Sequence, residues 1–516
     1  MEGSNNKMEI HKLSNKSLGI QFGYTSLLVE EMRKFPNKKW DKVSRTWIVP
    51  ICEDNIDLLK NNPIFKKFSW DEGAKELVLN YSQIDLKSMV TKKSSKLKIT
   101  GLRTKLYPYQ SVGVEFIEET NGNCLVADEM GLGKTGQTLA WLQLRKKVRP
   151  VLIVCTATLK LNWGREIEKW MDLKDKVSVF NSQDDIKAFY KSDIVVSNYD
   201  IVDKYFAELN KAKFQCIILD ESTFIKNEKA KRTKAIMRLA RKIPHIICLS
   251  GTPFLNKPVE MFNTLKLICP TEFSNFWQYV FKYCDAQKGY WGWDFNGASN
   301  TDELAKKLRK LIMIRREKKE VLKDLPDKTR VLLPQEVPLK EYNIIEEELV
   351  SWIEQKKIDG ESEGAHLVKI EKCKQAALDA KYKEFVNWVI DFVDMTGQKL
   401  VIFGHHRNYI DNLMNDLKKF KPLSIVGGMD IKKRQDSIDM FQNKRSHRII
   451  VCSMKAAGVG ITLTEANTVA FFELGWNYPD HAQCEDRCHR IGQKDNITAY
   501  YFIAKGTIEE DIYELL

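Results

Sequence analysis

The sequence predicts an α/β chain: two parallel sheets in tandem, helical insertions between them, and a small α+β module at the N-terminus. Three observations carry this. Short continuous runs of Val, Ile, Leu and Cys alternate with helical stretches from Leu106 to about residue 270, and again from Lys399. Runs of that kind belong to strands covered on both faces. A glycine-rich loop joins the first of these strands to a helix, and residues 270–375 lack the alternation and read as helical. The boundaries that follow are 1–85 for the module, 86–104 for a lysine-rich linker, 105–270 for the first lobe, 271–375 for the insertions and crossing, and 376–516 for the second lobe.

The module comes first. Tyr24 to Lys34 has helical apolar spacing, and Lys38 to Pro50 reads as two short strands around a polar turn, with Trp40 and Trp47 as core anchors. A helix from Asp54 to Lys60 follows. Residues 1–105 hold 20 Lys and Arg against 12 Asp and Glu, so most of the chain's net charge of +13 sits here. Such an excess suits a polyanion partner. Lysines among aromatics suit phosphate contact with base stacking. Lys38 and Lys39 are therefore candidate DNA contacts, with Lys42 beside them; a merely solvated basic surface is the alternative.

The first lobe has strands at Cys124–Ala127, Val151–Cys155, Ile194–Ser197, Cys216–Leu219 and Ile246–Leu249. After the first comes Asp128-Glu129-Met130-Gly131-Leu132-Gly133-Lys134-Thr135. Glycines let successive backbone N–H groups turn toward one anion, and the following helix N-terminus adds partial positive charge. Lys134 can reach the β- and γ-phosphates and the Thr135 hydroxyl can ligate Mg²⁺. Asp128 stands where the strict phosphate-loop pattern has Gly. Cys216–Leu219 delivers Asp220 and Glu221. Asp220 can hold Mg²⁺, usually through water, and Glu221 can polarise the attacking water. Ser250-Gly251-Thr252-Pro253 offers hydroxyls near the γ-phosphate.

These motifs resemble a superfamily-two helicase motor of the Swi/Snf family of double-stranded DNA translocases. The resemblance implies two RecA-like lobes with ATP bound between them. Leu106-Tyr107-Pro108-Tyr109-Gln110 resembles the family's adenine-reading segment, with Gln110 as reader. Asp-Glu-Met-Gly-Leu-Gly-Lys-Thr is that family's own loop, which accounts for Asp128; Gly131 and Gly133 are its nucleotide-binding glycines. Thr156 to Trp163 (Lys160, Asn162, Trp163) and Ser197-Asn198-Tyr199 match its first-lobe DNA grip. Thr223 stands where a His is more usual.

Met313-Ile314-Arg315-Arg316, Lys318 to Leu322 and Leu325-Pro326 resemble that family's helical insertion and its crossing to the second lobe; Glu341 to Lys374 reads as long charged helices with a turn at 360–364. The second lobe has strands at Leu400–Phe403, Leu423–Val426, Ile449–Cys452, Val469–Phe472 and Ala499–Ile503. Gln483 to Gln493 carries Arg487 and Arg490, three apart on what reads as one helix face, so both can point at one phosphate. They resemble the family's arginine fingers, with Gly460 and Gln483 on the nucleotide. Ala457 to Leu463 resembles the coupling segment, where Thr462 is a DNA contact, and Trp476 follows as a DNA-facing position.

Phe403-Gly404-His405-His406 resembles the double-histidine strand end of the annealing-helicase subgroup, the HepA-related proteins. So do Tyr283 to Ala286, Trp291 to Asp294, Gly297-Ala298 and Asn300. His405 and His406 are thereby DNA candidates, and the module resembles that subgroup's substrate-recognition unit. The resulting expectation is an ATP- and Mg²⁺-dependent translocase on double-stranded or forked DNA that anneals strands or remodels forks. The alternatives are a motor that displaces DNA-bound proteins and, outside enzymes, a nucleotide-gated DNA-binding scaffold. No wedge-like element for parting strands is apparent.

The remaining features narrow the setting. Eleven cysteines are scattered, several in strand runs, and read as buried hydrophobes of a reducing compartment. Cys484, Cys488 and His489 lack a second Cys pair at finger spacing, so no structural zinc is expected. No run reaches about 18 apolar residues, so no membrane partner is expected. The N-terminus lacks a secretion pattern. An intracellular, monomeric protein is the expectation, in the cytoplasm of a prokaryote or its virus-infected host, or in a nucleus.

Overall fold

The computed structural model describes residues 8–83, 85–172, 175–251, 257–290, 292–359, 364–457 and 460–516. Of the expected features, Thr252, Pro253, Trp291, Gly458, Val459 and most of the 360–364 turn lie outside these residues. The chain forms two units, Met1–Asp128 with Lys134–Arg316, and Glu129–Gly133 with Glu317–Leu516.

The N-terminal residues of the first unit form a five-stranded sheet of β1 (Glu9–Ser14), β2 (Ser17–Gln21), β3 (Lys39–Asp41), β4 (Thr46–Pro50) and β5 (Ser69–Trp70), ordered β3-β4-β2-β1-β5. Helix Ser26–Arg33 starts where the Thr25 hydroxyl accepts from the Leu28 N–H at 3.3 Å. Ile10, Leu18, Ile20, Met32, Phe35, Val49 and Phe65 make the core. Of the expected tryptophan anchors, Trp47 packs half-buried against this core and Trp40 does not. β3 is an edge strand, so Trp40 and Trp47 pair across the β3–β4 hairpin with ring centroids 5.1 Å apart, and Trp40 is 44% exposed.

A buried carboxylate is at the centre of the contacts between this small sheet's helices and the rest of the unit. Glu272, with a side chain 2% exposed, accepts from the Glu53 N–H at 2.7 Å and from the Tyr81 hydroxyl, and pairs with Lys307 at 2.8 Å. Lys310 holds Glu53 at 2.9 Å. Burial would lower the Lys307 ammonium, but the Glu272 charge and hydrogen bond, with Tyr283 and Asp54, together raise it.

The large sheet of the first unit contains β6 (Asn123–Val126), β7 (Val151–Cys155), β8 (Val177–Val179), β9 (Ile194–Asn198), β10 (Cys216–Leu219) and β11 (His245–Leu249), followed by a separate hairpin of β12 (Gln287–Gly289) and β13 (Gly292–Asp294). A last strand, β14 (Met313–Ile314), closes one edge. Every pairing is parallel, in the order β14-β6-β11-β10-β7-β9-β8. β8 and β14 escape the sequence reading because edge strands of three and two residues are too short to show a pattern.

The second unit's sheet is parallel too: β15 (Lys328–Gln335), β16 (Leu400–Gly404), β17 (Leu423–Ile425), β18 (Ile449–Ser453), β19 (Thr468–Phe471) and β20 (Ile497–Ala504), ordered β15-β20-β19-β16-β18-β17. The stretch 270–375 is therefore not wholly helical. β15 falls inside it, paired only with β20 and half exposed, and Pro334, which has no N–H to donate, is tolerated at such an edge.

Candidate functional site

The strand register sets the motifs of the first unit side by side. Val126 of β6 lies opposite Leu249 of β11, and Leu219 of β10 opposite Cys248. The chain leaves these strands at Asp128, Ser250 and Asp220, so all three segments emerge at one C-terminal sheet edge. Ligands of parallel α/β sheets bind at that edge.

Gly131 and Gly133 have φ of +85° and +77°, a backbone that a side chain would strain. Lys134 opens the helix Lys134–Leu144, and its ammonium donates to the Asp128 carbonyl at 2.7 Å. Thr135 is half-buried in the same first turn. Asp128 does what a glycine there could not. Its fully buried carboxylate accepts from Arg316 N at 3.1 Å and Nε at 3.0 Å on one oxygen, and from Gln137 at 3.0 Å on the other. Arg316 Nη2 completes the pair and also reaches Gln137 at 2.9 Å, and its Nη1 donates to the Tyr109 carbonyl. Arg315 bonds the Ala127 and Gly251 carbonyls at 3.3 and 3.4 Å. The sequence reading gave neither arginine a role in the site.

Asp220 is held by Trp163, whose indole N–H donates to Oδ2 at 2.8 Å, and its Oδ1 accepts from the Glu221 N–H at 3.1 Å. Glu221 has φ of +51°, a strained conformation for a residue with a side chain, of the kind that gathers at functional sites. Gln110 is buried, and its Oε1 caps its own helix by accepting from the Tyr107 N–H at 2.9 Å.

Several expected DNA contacts sit elsewhere. Trp163 is 1% exposed, packed behind Asp220, and cannot lie on a strand-gripping surface. Tyr199 is 2% exposed; its hydroxyl donates to the Asp220 carbonyl at 2.8 Å and its ring stacks on Phe224. Trp163 thus supports the Asp220 carboxylate and Tyr199 the backbone that carries it. The Lys160 ammonium, lowered by burial, is turned onto Asn181. Asn162 is half-buried, and Asn198 is buried with its side-chain oxygen unpaired. Lys38 donates to the carbonyls of Arg33 and Phe35 at 2.8 and 3.2 Å, so it caps a helix. Lys39 is exposed.

In the second unit the helix Tyr478–Glu485 stops before the arginines, so Arg487 and Arg490 share no helix face. Its last residue, the buried Glu485, is gripped by Arg330 at 2.7 and 2.8 Å and by Lys328 at 2.7 Å, both from β15. Burial would raise that carboxyl, but the two cations hold it down at about 2. The arginines converge all the same, both donating to the Ile461 carbonyl, at 3.5 and 3.1 Å. Arg490 also reaches the exposed Thr462 hydroxyl at 3.0 Å, and Arg487 Nε bonds the Gln483 carbonyl at 3.1 Å. Gly460, with φ of +76°, begins this turn. Glu129–Gly133, grouped with this unit, lies against it: a Cβ on Gly131 would come 2.9 Å from Arg490 Cβ. Cys484 and Cys488 are buried among the second unit's apolar residues, and burial pushes both thiols up.

Glu473 was absent from the sequence reading, yet it organises three of the expected DNA residues. It is fully buried at the end of β19, beside the end of β16. It accepts from the His405 and His406 N–H groups at 2.6 and 2.9 Å and from His406 Nδ1 at 2.7 Å, and pairs with Lys374 at 3.1 Å. Lys374 in turn lies 5.7 Å over the ring of Trp476, which is 46% exposed. Burial would raise Glu473, but the His406 ring, Lys374 and the His406 N–H hold it down at about 2. The other His406 nitrogen meets Glu371 at 3.0 Å.

Two parallel sheets, a phosphate loop and paired carboxylates at one strand edge, and converging arginines at another define a two-lobed RecA-like chain of the helicase class. The comparisons narrow the class. Residues 109–381 match the SNF2-related domain and residues 381–492 the helicase conserved C-terminal domain, so the chain belongs to the SNF2-related family. It is 29% identical over 525 residues to the SWI/SNF-related matrix-associated actin-dependent regulator of chromatin subfamily A-like protein 1 of Xenopus tropicalis, covering 98% of this chain and 54% of that protein. It is 34% identical to the DNA annealing helicase and endonuclease ZRANB3 of Mus musculus, over 80% of this chain and 40% of the relative. The chain thus spans about half the length of curated relatives it matches. Among solved structures, the Sulfolobus solfataricus SWI2/SNF2 ATPase core in complex with dsDNA is 27% identical, covers 82% of this chain and 92% of its own, and has a TM-score of 0.43.

Proposed function

We propose that this chain is an ATP-driven translocase on duplex or branched DNA that anneals strands or remodels forks. The observation that carries the reading is the shared sheet edge of Lys134, Asp220 and Glu221. Lys134 neutralises the β- and γ-phosphates, and Gln110 reads the adenine. Glu221 orients and polarises the attacking water. Arg487 and Arg490 stabilise the charge that develops on the transferred phosphoryl group. Thr135 and Asp220 are hard oxygen donors, which suits Mg²⁺. When bound, the ion would neutralise phosphate charge.

His405, His406, Thr462 and Trp476 contact the DNA backbone in this reading, and the exposed Lys39 adds phosphate affinity from the N-terminal sheet. Annealing is taken from the name of the ZRANB3 relative, and fork remodelling from the double-histidine resemblance alone. The test is steady-state ATP hydrolysis across single-stranded, duplex, forked and four-way DNA. Strong stimulation by duplex or forked DNA is expected. Binding without turnover on every substrate would leave the nucleotide-gated scaffold instead.

A further inference from the structure

The β12–β13 hairpin has no place in the site above. All six of its strand residues are exposed, and a two-stranded hairpin has little stability alone. Aromatic rings hold it to the helix Phe276–Tyr283. Trp293 meets Trp277 at 5.5 Å and Phe281 at 5.1 Å, both edge to face. Phe295, just past β13, meets Phe276 at 5.3 Å and Trp277 at 5.7 Å. These contacts do not bury the patch. Trp277, Phe281 and Trp293 remain 46%, 53% and 41% exposed, and Tyr290, in the turn, is 94% exposed. The rings of Trp277, Phe281 and Trp293 touch one another, and contiguous apolar surface of this kind marks an interaction site.

The chemistry of the patch selects the occupant. Among the described residues from 275 to 294, every exposed large apolar side chain is aromatic; no Leu, Ile, Val or Met joins them. Lys288 stands directly opposite Trp293 and forms no ion pair among the described residues. The nearby carboxylates are engaged. Asp285 accepts from Gln287 at 3.1 Å, Asp294 from the Asn296 N–H at 2.9 Å, and Glu303 pairs with Lys282 at 2.6 Å. Solvent-exposed aromatic rings beside a lysine, without aliphatics, suit base stacking with a phosphate contact.

We propose that this hairpin and the adjoining helix face form a platform on which unpaired DNA bases stack at a single-strand–duplex junction. The platform rests on the reading of the chain as a DNA motor, which it deepens by naming a structure-specific contact. The test uses the full chain and a fork whose first unpaired base is 2-aminopurine, which dims when it stacks. The intact protein should quench that base. Tyr290→Ala should abolish the quench and weaken fork affinity roughly 5- to 100-fold relative to blunt duplex, the range a base–ring stack is worth. Tyr290→Phe, which keeps the ring, should restore both, and an unchanged melting temperature confirms the fold. Lys288→Ala should weaken fork binding and flatten its salt dependence. Absence of DNA-stimulated hydrolysis in the unaltered protein would fail the motor reading. Intact stimulation with unchanged quench and fork affinity in Tyr290→Ala and Lys288→Ala would overturn the platform and give the rings to a protein partner.

Discussion

Asp128 and Arg316 form a wholly buried ion pair across 188 positions of sequence, tying the end of β6 to the end of β14. The pair is also hydrogen-bonded to Gln137 and to the Tyr109 carbonyl. Breaking a buried pair leaves one charge without compensation, at a cost of about 3–5 kcal/mol. Arg316→Ala should therefore lower the unfolding free energy of the first unit by that order, and Arg316→Met with Asp128→Leu should cost much less. Gly113→Ala should be damaging too, because its Cβ would fall 1.7 Å from the Gln137 Oε1. Urea denaturation of the three variants checks the order.

Lys134→Ala should abolish nucleotide binding, because the ammonium is the loop's only strong charge for the phosphates. Glu221→Gln should retain ATP binding and stall hydrolysis, since the amide cannot polarise water as the carboxylate does. Binding by a fluorescent ATP analogue and DNA-stimulated phosphate release separate the two. Wild-type turnover in Glu221→Gln would remove this residue from the chemistry.

Arg487→Ala and Arg490→Ala should each slow hydrolysis by roughly 10³- to 10⁵-fold with little change in ATP affinity, as expected for groups that act on developing charge. A loss confined to affinity would show ground-state binding instead.

How far the sequence carried these conclusions depended on where the information lies. The central strands were legible because double burial makes them continuously apolar, and the Gly-Leu-Gly-Lys-Thr run because it stands as a set pattern directly after one of them. Glu473 was not, since one carboxylate after an apolar run has no signature. Its partners meet it only where β16 and β19 end together. The partners of Glu485 were hidden in the same way: Arg330 and Lys328 reach it from a strand about 155 residues away. Trp163 and Tyr199 were assigned outward by resemblance, and the fold turns both inward onto Asp220.

His406 gives a pH dependence. The hydrogen bond to Glu473 raises its pKa against burial, the Glu473 and Glu371 charges assist, and Lys374 opposes. A raised native pKa stabilises the fold fully below the unfolded value of about 6.5 and loses that contribution as pH rises through the native value. The melting temperature of the intact protein should thus fall, relative to His406→Gln, as pH rises above about 6.5. DNA affinity should follow it if the strand end presents His405 and Trp476 to the backbone. Parallel pH profiles for the two proteins would show that the imidazolium contributes nothing.

The N-terminal sheet separates two roles that the sequence assigned together. Glu272 takes the Glu53 N–H and the Tyr81 hydroxyl from it, so this sheet is part of the packing of the first unit. Tyr81→Phe, which leaves a buried carboxylate short of one donor, should cost about 1–3 kcal/mol. Removing residues 1–85 should then lower the melting temperature. A DNA role, if present, belongs to the exposed lysines. Lys38→Glu removes the donor that caps the helix Ser26–Arg33, so it should lower stability with little dependence on salt. Lys39→Glu and Lys42→Glu should leave the melting temperature unchanged and weaken forked-DNA binding at low salt. That deficit should shrink as salt rises, because phosphate contacts act through counterion release. Equal DNA affinities for Lys39→Glu, Lys42→Glu and the unaltered chain at low salt would leave this sheet a packing role alone.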